Sequence, residues 1–472
     1  MHLVLYLAIF SWTVYVVYRH GIGPAFGLCL LPAVVLVHFA KGVPMPLLPN
    51  LSSLSMVFYG TIAGCVLRPQ PLNVRWNLID TAMCLILIPI FFTTWMNGGQ
   101  PVVIGGPPDP PSLKLAQRYV TETAVTFLFP YFMARVALQQ IDGRKWTLRA
   151  ACAVAIFVGF LSAVESSGVR PNITARTLGL LQWNTTTNAR PASMVFKRFG
   201  LARAIATAGQ QIDLGNVGVL VGTIILILVP ATGAKWTSPL VVGGILGSGA
   251  MVVGSVSMTS WAAMVIAVVG YALFTRPQIG KYFVLPVLLA CFGFMVYQSY
   301  TMISAEYVGD NRPGDAVGDS KYIRYKIMQD AWPIAQDAGF FGYGSGANVS
   351  KIGVGSVDNS YLLFVIQTGW LSLVLWVFLF FTIALKGAGA LGRVNTPSEQ
   401  WPLAAMLAGF LGIVFAMYTV FFGFCYAVLF AAVIGMISSM CQMLAGQRQA
   451  AVSLHGGMMP HGFPVAMSGP MR

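Results

Sequence analysis

Charge is what this sequence lacks most. Only 9% of its 472 residues are Asp, Glu, Lys or Arg, against 57% hydrophobic, and the mean hydropathy is +0.74. That much apolar surface does not fit inside a water-soluble core, so a soluble globular enzyme is excluded and a polytopic membrane protein is implied. Histidine is almost missing: His2, His20 and His38 sit near the first two apolar runs, and His455 and His461 lie in the tail. The seven cysteines all fall in or beside apolar runs. No disulfide framework and no Cys/His metal cluster follows from that pattern, and neither metal nor cofactor is expected. There is no Gly-Lys-Ser or Gly-Lys-Thr run, hence no P-loop. There is also no repeat of fixed period and no inverted repeat of the kind that secondary transporters carry. The opening MHLVLYLAIF has neither a basic leading region nor a small-residue cleavage site, so it reads as a retained first helix.

What is present is one apolar run after another, which predicts an all-α polytopic membrane protein. Spans are expected at 3–19, 22–40, 51–67, 76–95, 117–137, 147–164, 213–231, 237–254, 257–275, 279–298, 359–385, 402–421 and 423–443, a count of 13 with 12 and 14 also open. Residues 1–443 form the membrane domain, and 444–472, ending in HGGMMPHGFPVAMSGP, read as a disordered cytoplasmic tail. Two charged loops interrupt the domain, a basic one at 165–212 and a large one at 300–357. Outside them, 14 basic residues fall on one side of the membrane and three, Lys41, Lys114 and Arg118, on the other. Because cytoplasmic loops accumulate Lys and Arg, this vote puts the C-terminus in the cytoplasm and both long loops outside. The net charge of +14 is then partly a topology signal and calls for no nucleic-acid partner.

The two loops together with Asp358 hold 11 of the 28 basic and 8 of the 14 acidic residues, so chemistry is expected there. The first places Arg198 and Arg203 in SMVFKRFGLARAIATAGQ, beside small and apolar residues. Guanidinium forks suit a diphosphate, offering paired donors that stay charged when poorly solvated. Pairing with lipid headgroups is the other open reading. In the second loop, KYIRYKIMQDAWPIAQ predicts an amphipathic surface helix with Ile323, Ile327 and Ala331 on its apolar side and Arg324 elsewhere around the turn. The glycines of FFGYGSG, including Gly342 and Gly344, suit either close approach of backbone amides to an oxyanion or a flexible lid. Asp80, Glu122 and Asp213 are acids within or beside spans; pairing in the bundle or an interfacial position accounts for them, and Asp213 follows the arginine segment closely enough to partner it.

The order of three pieces resembles a known family. An amphipathic helix with an arginine, RYKIMQDAWPIAQDAG, precedes the turn FFGYGSG and then VDNSYLLFVIQTGWLSL; upstream lie RFGLARAIATAGQ and SVSMTSWAAMVIAVV. This resembles the O-antigen ligase and O-antigen (exopolysaccharide) polymerase superfamily of membrane glycosyltransferases, over roughly residues 160–390. The resemblance implies a GT-C-like helical fold with one large periplasmic loop, in a bacterial inner membrane protein. It implies metal-independent glycosyl transfer from undecaprenyl-diphosphate-linked oligosaccharide to an acceptor glycan, among membrane lipids and beside flippase and chain-length regulator proteins. Carried over by position, Arg198, Arg203 and Arg324 grip the diphosphate, while Asp213, Tyr361, Gly342 and Gly344 support the site.

Two departures from the family pattern matter. Ligases place a histidine before the asparagine at the start of the later helix, whereas this chain has Asp358-Asn359, so Asp358 becomes the candidate base with Asn359 beside it. A helix cap is the alternative role for Asp358. The family's Ser-Arg pair is replaced by Thr259-Ser260. The histidine-free loops favour a polymerase over an O-antigen ligase acting on lipid A-core, and a lipid-linked glycan transporter is the alternative of another class.

Overall fold

In the computed structural model the described residues are 2–37, 52–70, 74–97, 112–169, 173–174, 197–198, 201–204, 206–208, 211–306, 316–344, 357, 359–394, 396–419 and 424–456. They form helices almost throughout. A lipid-embedded backbone has no water to bond, so each apolar segment must satisfy its own amides. The helices are α1 (His2–His20), α2 (Ile22–Val35), α3 (Ser53–Leu67), α4 (Leu78–Met96), α5 (Leu113–Thr123, a π turn Ala124–Leu128, then Phe129–Gln139) and α6 (Ile141–Ser166). After them come α7 (Gln211–Thr232), α8 (Pro239–Gly254), α9 (Met258–Phe274), α10 (Pro277–Ser304), α11 (Ala316–Asp337), α12 (Ser360–Leu391), α13 (Pro397–Ala416) and α14 (Phe424–Gly456). A two-residue antiparallel ladder, β1 (Lys197–Arg198) with β2 (Leu201–Ala202), precedes α7.

Each of the 13 expected segments contains a helix among the described residues, which bears out an all-α polytopic chain. The span count is another matter: among the described residues seven helices are long and apolar enough to cross a membrane, and four more, α2, α3, α8 and α9, have 10–17 residues. At 1.5 Å per residue such a helix falls short of a hydrocarbon layer about 30 Å thick. The tail also differs from expectation. α14 runs on to Gly456, past the expected boundary at 443, because QRQAAVSL is rich in helix formers.

Close helix contacts rest on small residues. At the α6–α8 crossing a Cβ on Gly159 would lie 2.5 Å from Gly247 Cα, so neither position accepts a side chain without displacing the other helix. At the opposite end of the bundle from the residues described below, Asp80 of α4 and Arg135 of α5 form a wholly buried ion pair. Arg135 Nη2 also donates to Gln442 Oε1 of α14 (2.7 Å) and Arg75 O (2.9 Å), and Tyr131 OH donates to Asp80 Oδ1 (2.5 Å). Glu122 pairs with Arg118 one turn away at 3.2 Å. Both acids thus take the pairing role expected of them.

α12 is two helices joined at Gly369, whose φ of +81° and ψ of 174° break the ladder. The turn after α11 fills the break. Tyr343 N and Gly344 N donate to Ile366 O (2.8 Å) and Gln367 O (2.9 Å), while Trp370 N and Leu371 N donate back to Gly339 O (3.2 Å) and Phe340 O (3.3 Å). From α4, Thr93 Oγ1 donates to Phe341 O and Asn97 Nδ2 to Gly342 O. α11 is anchored by this knot, and its buried side is Met328, Ala331 and Ala335, packed on Leu362, Val365 and Ile366. Ile323, expected on that side, is 36% exposed.

Candidate active site

Of the expected site residues, Arg203, Asp213, Arg324, Asn359 and Tyr361 lie at the end of the bundle where the C-terminal ends of α6, α8, α10 and α13 meet the N-terminal ends of α7, α9, α12 and α14. Polar contacts stitch these ends together. Ser260 Oγ donates to Asn216 Oδ1 (3.1 Å), joining α9 to α7; Thr259 Oγ1 meets Thr419 Oγ1 (2.7 Å); Ser299 Oγ of α10 meets Tyr418 OH (3.0 Å); and Ser360 N donates to Met417 O (2.9 Å). Residues 417–419 lie beyond the last residue of α13, although the sequence pattern carries that span to 421. Leaving the helix frees Tyr418 and Thr419 to make these contacts.

Arg324 comes down on this end from α11. It borders a small pocket of about 30 Å³ together with Met328, Asn359, Tyr418 and Thr419. Asn359, Tyr418 and Met328 also border a second cavity, an apolar groove of about 440 Å³ between α10, α11 and both halves of α12, walled by Phe292, Trp332, Trp370 and Leu373. The two spaces therefore share a wall. Burial raises the Tyr418 phenol above its ordinary pKa, with the Ser299 hydrogen bond and the charge of Arg324 acting the other way, so it is a neutral donor at physiological pH.

Asn359 is the N-cap of α12. Its Oδ1 accepts from Tyr361 N (3.0 Å) and Leu362 N (3.1 Å), and it is buried. Tyr361 is also buried, and its hydroxyl donates to Val414 O at 2.7 Å, tying α12 to α13. Gly342 and Gly344 have φ of +69° and +114°, and a Cβ on Gly342 would lie 2.5 Å from Gly369 N. Their amides donate to Ala338 O and Gln367 O, so the glycines serve the docking of α11 and not an oxyanion.

The segment carrying Arg203 folds into the bundle instead of lying on it. Ala202, Ala204, Ala206, Thr207 and Ala208 are buried and Arg203 is half-buried. Ala204 N donates to Gly254 O (2.9 Å). Glu165, at the end of α6, accepts from Ala206 N (2.8 Å) and Thr174 N (3.1 Å) and so pins the loop at two points. A lone acid at the end of an apolar run was the only sequence signal for Glu165. Asp213, in the first turn of α7, is within electrostatic reach of Cys425. Asp358 and the side chain of Arg198 lie outside the described residues. The structure thus brings Arg324 to Asn359, Tyr418 and Thr419, and it holds Arg203 beside α6 and α8.

No curated protein matches the chain. Residues 243–377, which carry Thr259, Ser260, Ser299, Arg324 and Asn359, match the family model described as O-Antigen ligase, and this match supports the O-antigen ligase and polymerase superfamily of membrane glycosyltransferase-like enzymes.

Proposed function

We propose that the chain polymerises a bacterial surface polysaccharide, transferring glycan repeat units from undecaprenyl diphosphate to an acceptor sugar hydroxyl on the periplasmic face of the inner membrane. The observation that carries this reading is the shared wall of the two cavities. The apolar groove of about 440 Å³ ends at Asn359 and Tyr418, where the pocket of Arg324 begins. A polyprenyl diphosphate divides in the same way, into an apolar tail and an anionic head that an arginine fork recognises. Arg203, and Arg198 on the same segment, complete the grip on the diphosphate, with Asp213 close enough in sequence to orient them.

In the proposed reaction the acceptor oxygen attacks the anomeric carbon. The bond from that carbon to the diphosphate oxygen breaks, and the lipid diphosphate leaves with the bonding electrons. The hydroxyl proton passes to Asp358, and direct displacement inverts the anomeric centre. Two features support Asp358 as base. It stands next to a residue on the shared wall, and the capping role that would otherwise explain it is filled by Asn359 Oδ1. Asn359 and Tyr361 hold the start of α12 in place, and Gly342 and Gly344 hold α11, so that Arg324 keeps its position in the pocket beyond the groove's polar end. The arginines, acting as fixed cations, offset the charge that develops on the departing diphosphate, a task that needs no metal.

The family description favours a second reading, an O-antigen ligase that delivers the glycan to lipid A-core. The test is incubation of detergent-purified protein with a polyprenyl-diphosphate oligosaccharide, followed by sizing of the lipid-linked products. A ladder in whole repeat units is expected. Transfer only when lipid A-core is added would select the ligase, and no product from a verified donor would overturn both in favour of a transporter.

A further inference from the structure

Tyr418 stands at the joint between the tail groove and the arginine pocket, and its bonding makes it more than a partition. It is 7% exposed and follows the last turn of α13. Three side chains border both cavities: Met328, Asn359 and Tyr418. Met328 has no hydrogen-bond donor, and Asn359 is held in place as the cap of α12 by its bonds to Tyr361 N and Leu362 N. Tyr418 is held differently. Its hydroxyl meets the neutral hydroxyl of Ser299 at 3.0 Å, a bond that can be exchanged at little cost for a stronger one to an anionic oxygen. Next to it, Thr419 is braced by Thr259 at 2.7 Å, which ties the turn to the start of α9. The pocket beside Arg324, at about 30 Å³, has room for a water or two and none for a diphosphate. A head group that passes from the groove towards Arg324 crosses the shared wall, where Tyr418 carries the hydroxyl.

We propose that Tyr418 is a substrate-binding residue whose hydroxyl leaves Ser299 to donate to the phosphate nearest the lipid tail, so that the site discriminates a phosphorylated polyprenyl lipid from a neutral one of the same length. The proposal rests on the glycosyl-donor reading above and adds a residue to it that lies outside the stretch matching the family. Ser299 is the resting partner of Tyr418, and Arg324 supplies the charge that draws the phosphate in.

The experiment measures binding of two probes, polyprenyl diphosphate and polyprenol of equal chain length, to the detergent-purified full chain as wild type, Tyr418→Phe and Ser299→Ala. Tyr418→Phe is expected to bind the diphosphate about tenfold more weakly, the worth of one hydrogen bond to a charged group, and polyprenol as wild type does. Ser299→Ala, which releases the phenol, is expected to bind the diphosphate at least as tightly as wild type. Equal weakening for both lipids in Tyr418→Phe would make the residue a groove wall and overturn the proposal. Unchanged diphosphate binding in that variant, or a matching loss in Ser299→Ala, would overturn it too. Wild-type protein with no preference for the diphosphate over polyprenol would overturn the glycosyl-donor reading itself.

Discussion

The two ends of the bundle both hold an arginine among apolar helices, and they treat it differently. Arg135 is wholly buried, and its partners Asp80, Gln442 and the Arg75 carbonyl come from three parts of the bundle. Asp80 is engaged in turn by Tyr131 OH and Asn77 N, each at 2.5 Å. Arg324 is half-buried and borders a pocket whose other polar members are neutral hydroxyls and an amide. The first arrangement is closed, because a charge taken out of lipid and water alike needs a fixed counter-charge. In the second, the neighbouring groups are linked in single neutral bonds, Ser299 with Tyr418 and Thr259 with Thr419, that a ligand can exchange. A buried charge locked to its own bundle organises structure; an arginine on the wall of a cavity lies where a bound ligand meets it.

That contrast breaks most sharply on stability. Arg135→Met leaves Asp80 buried without its partner and should cost about 3–5 kcal/mol, read as a fall in the unfolding temperature of the purified protein in detergent. Adding Asp80→Leu should restore most of the loss. Arg324→Met should leave the unfolding temperature near that of wild type while donor turnover collapses; equal destabilisation by both single changes would erase the distinction between the two ends. Asp358→Asn comes next, with kcat expected to fall at least a hundredfold at unchanged donor binding and thermal stability, as for loss of a general base. A smaller effect is expected at Gly369. Its φ of +81° and the 2.1 Å separation of a Cβ from Phe340 O mean that Gly369→Ala must loosen the knot that anchors α11. The cost should be about 1–3 kcal/mol, and hydrogen exchange should rise first in residues 338–344.

The helices were legible in the sequence because lipid leaves the backbone few other choices, and the apolar runs mark where lipid is. The site was legible only in part. Arg324 was readable because an arginine stood in an amphipathic stretch just before a glycine turn and a span. Gly342 and Gly344 were visible but their job was not: what they dock into is a break at Gly369, and a lone glycine inside a long apolar run gives no sign of it. Tyr418 and Thr419 were hidden for another reason. The apolar pattern runs through them to 421, whereas α13 ends at Ala416 so that Met417 O can accept from Ser360 N. The groove was not legible at all, since its walls come from α10, α11 and α12 and its polar end from the turn after α13.

Arg203 gives the finest test, because two anions compete to explain it. Its segment is fixed by two bonds from its own amides, Ala204 N to Gly254 O and Ala206 N to the Glu165 carboxylate Oε2, so the guanidinium is delivered to one place and does not sweep the membrane surface. A donor diphosphate held there would use the planar fork, which lysine cannot supply, whereas a lipid headgroup needs only a positive charge. Arg203→Lys should therefore raise the donor KM by up to about tenfold with kcat little changed, the difference between a fork and a point charge at one phosphate. The same variant, reconstituted with increasing anionic phospholipid, should respond to that lipid as wild type does. A donor KM equal to that of wild type, together with an altered dependence on anionic lipid, would assign Arg203 to the membrane surface and leave Arg324 with a smaller cluster to grip the donor.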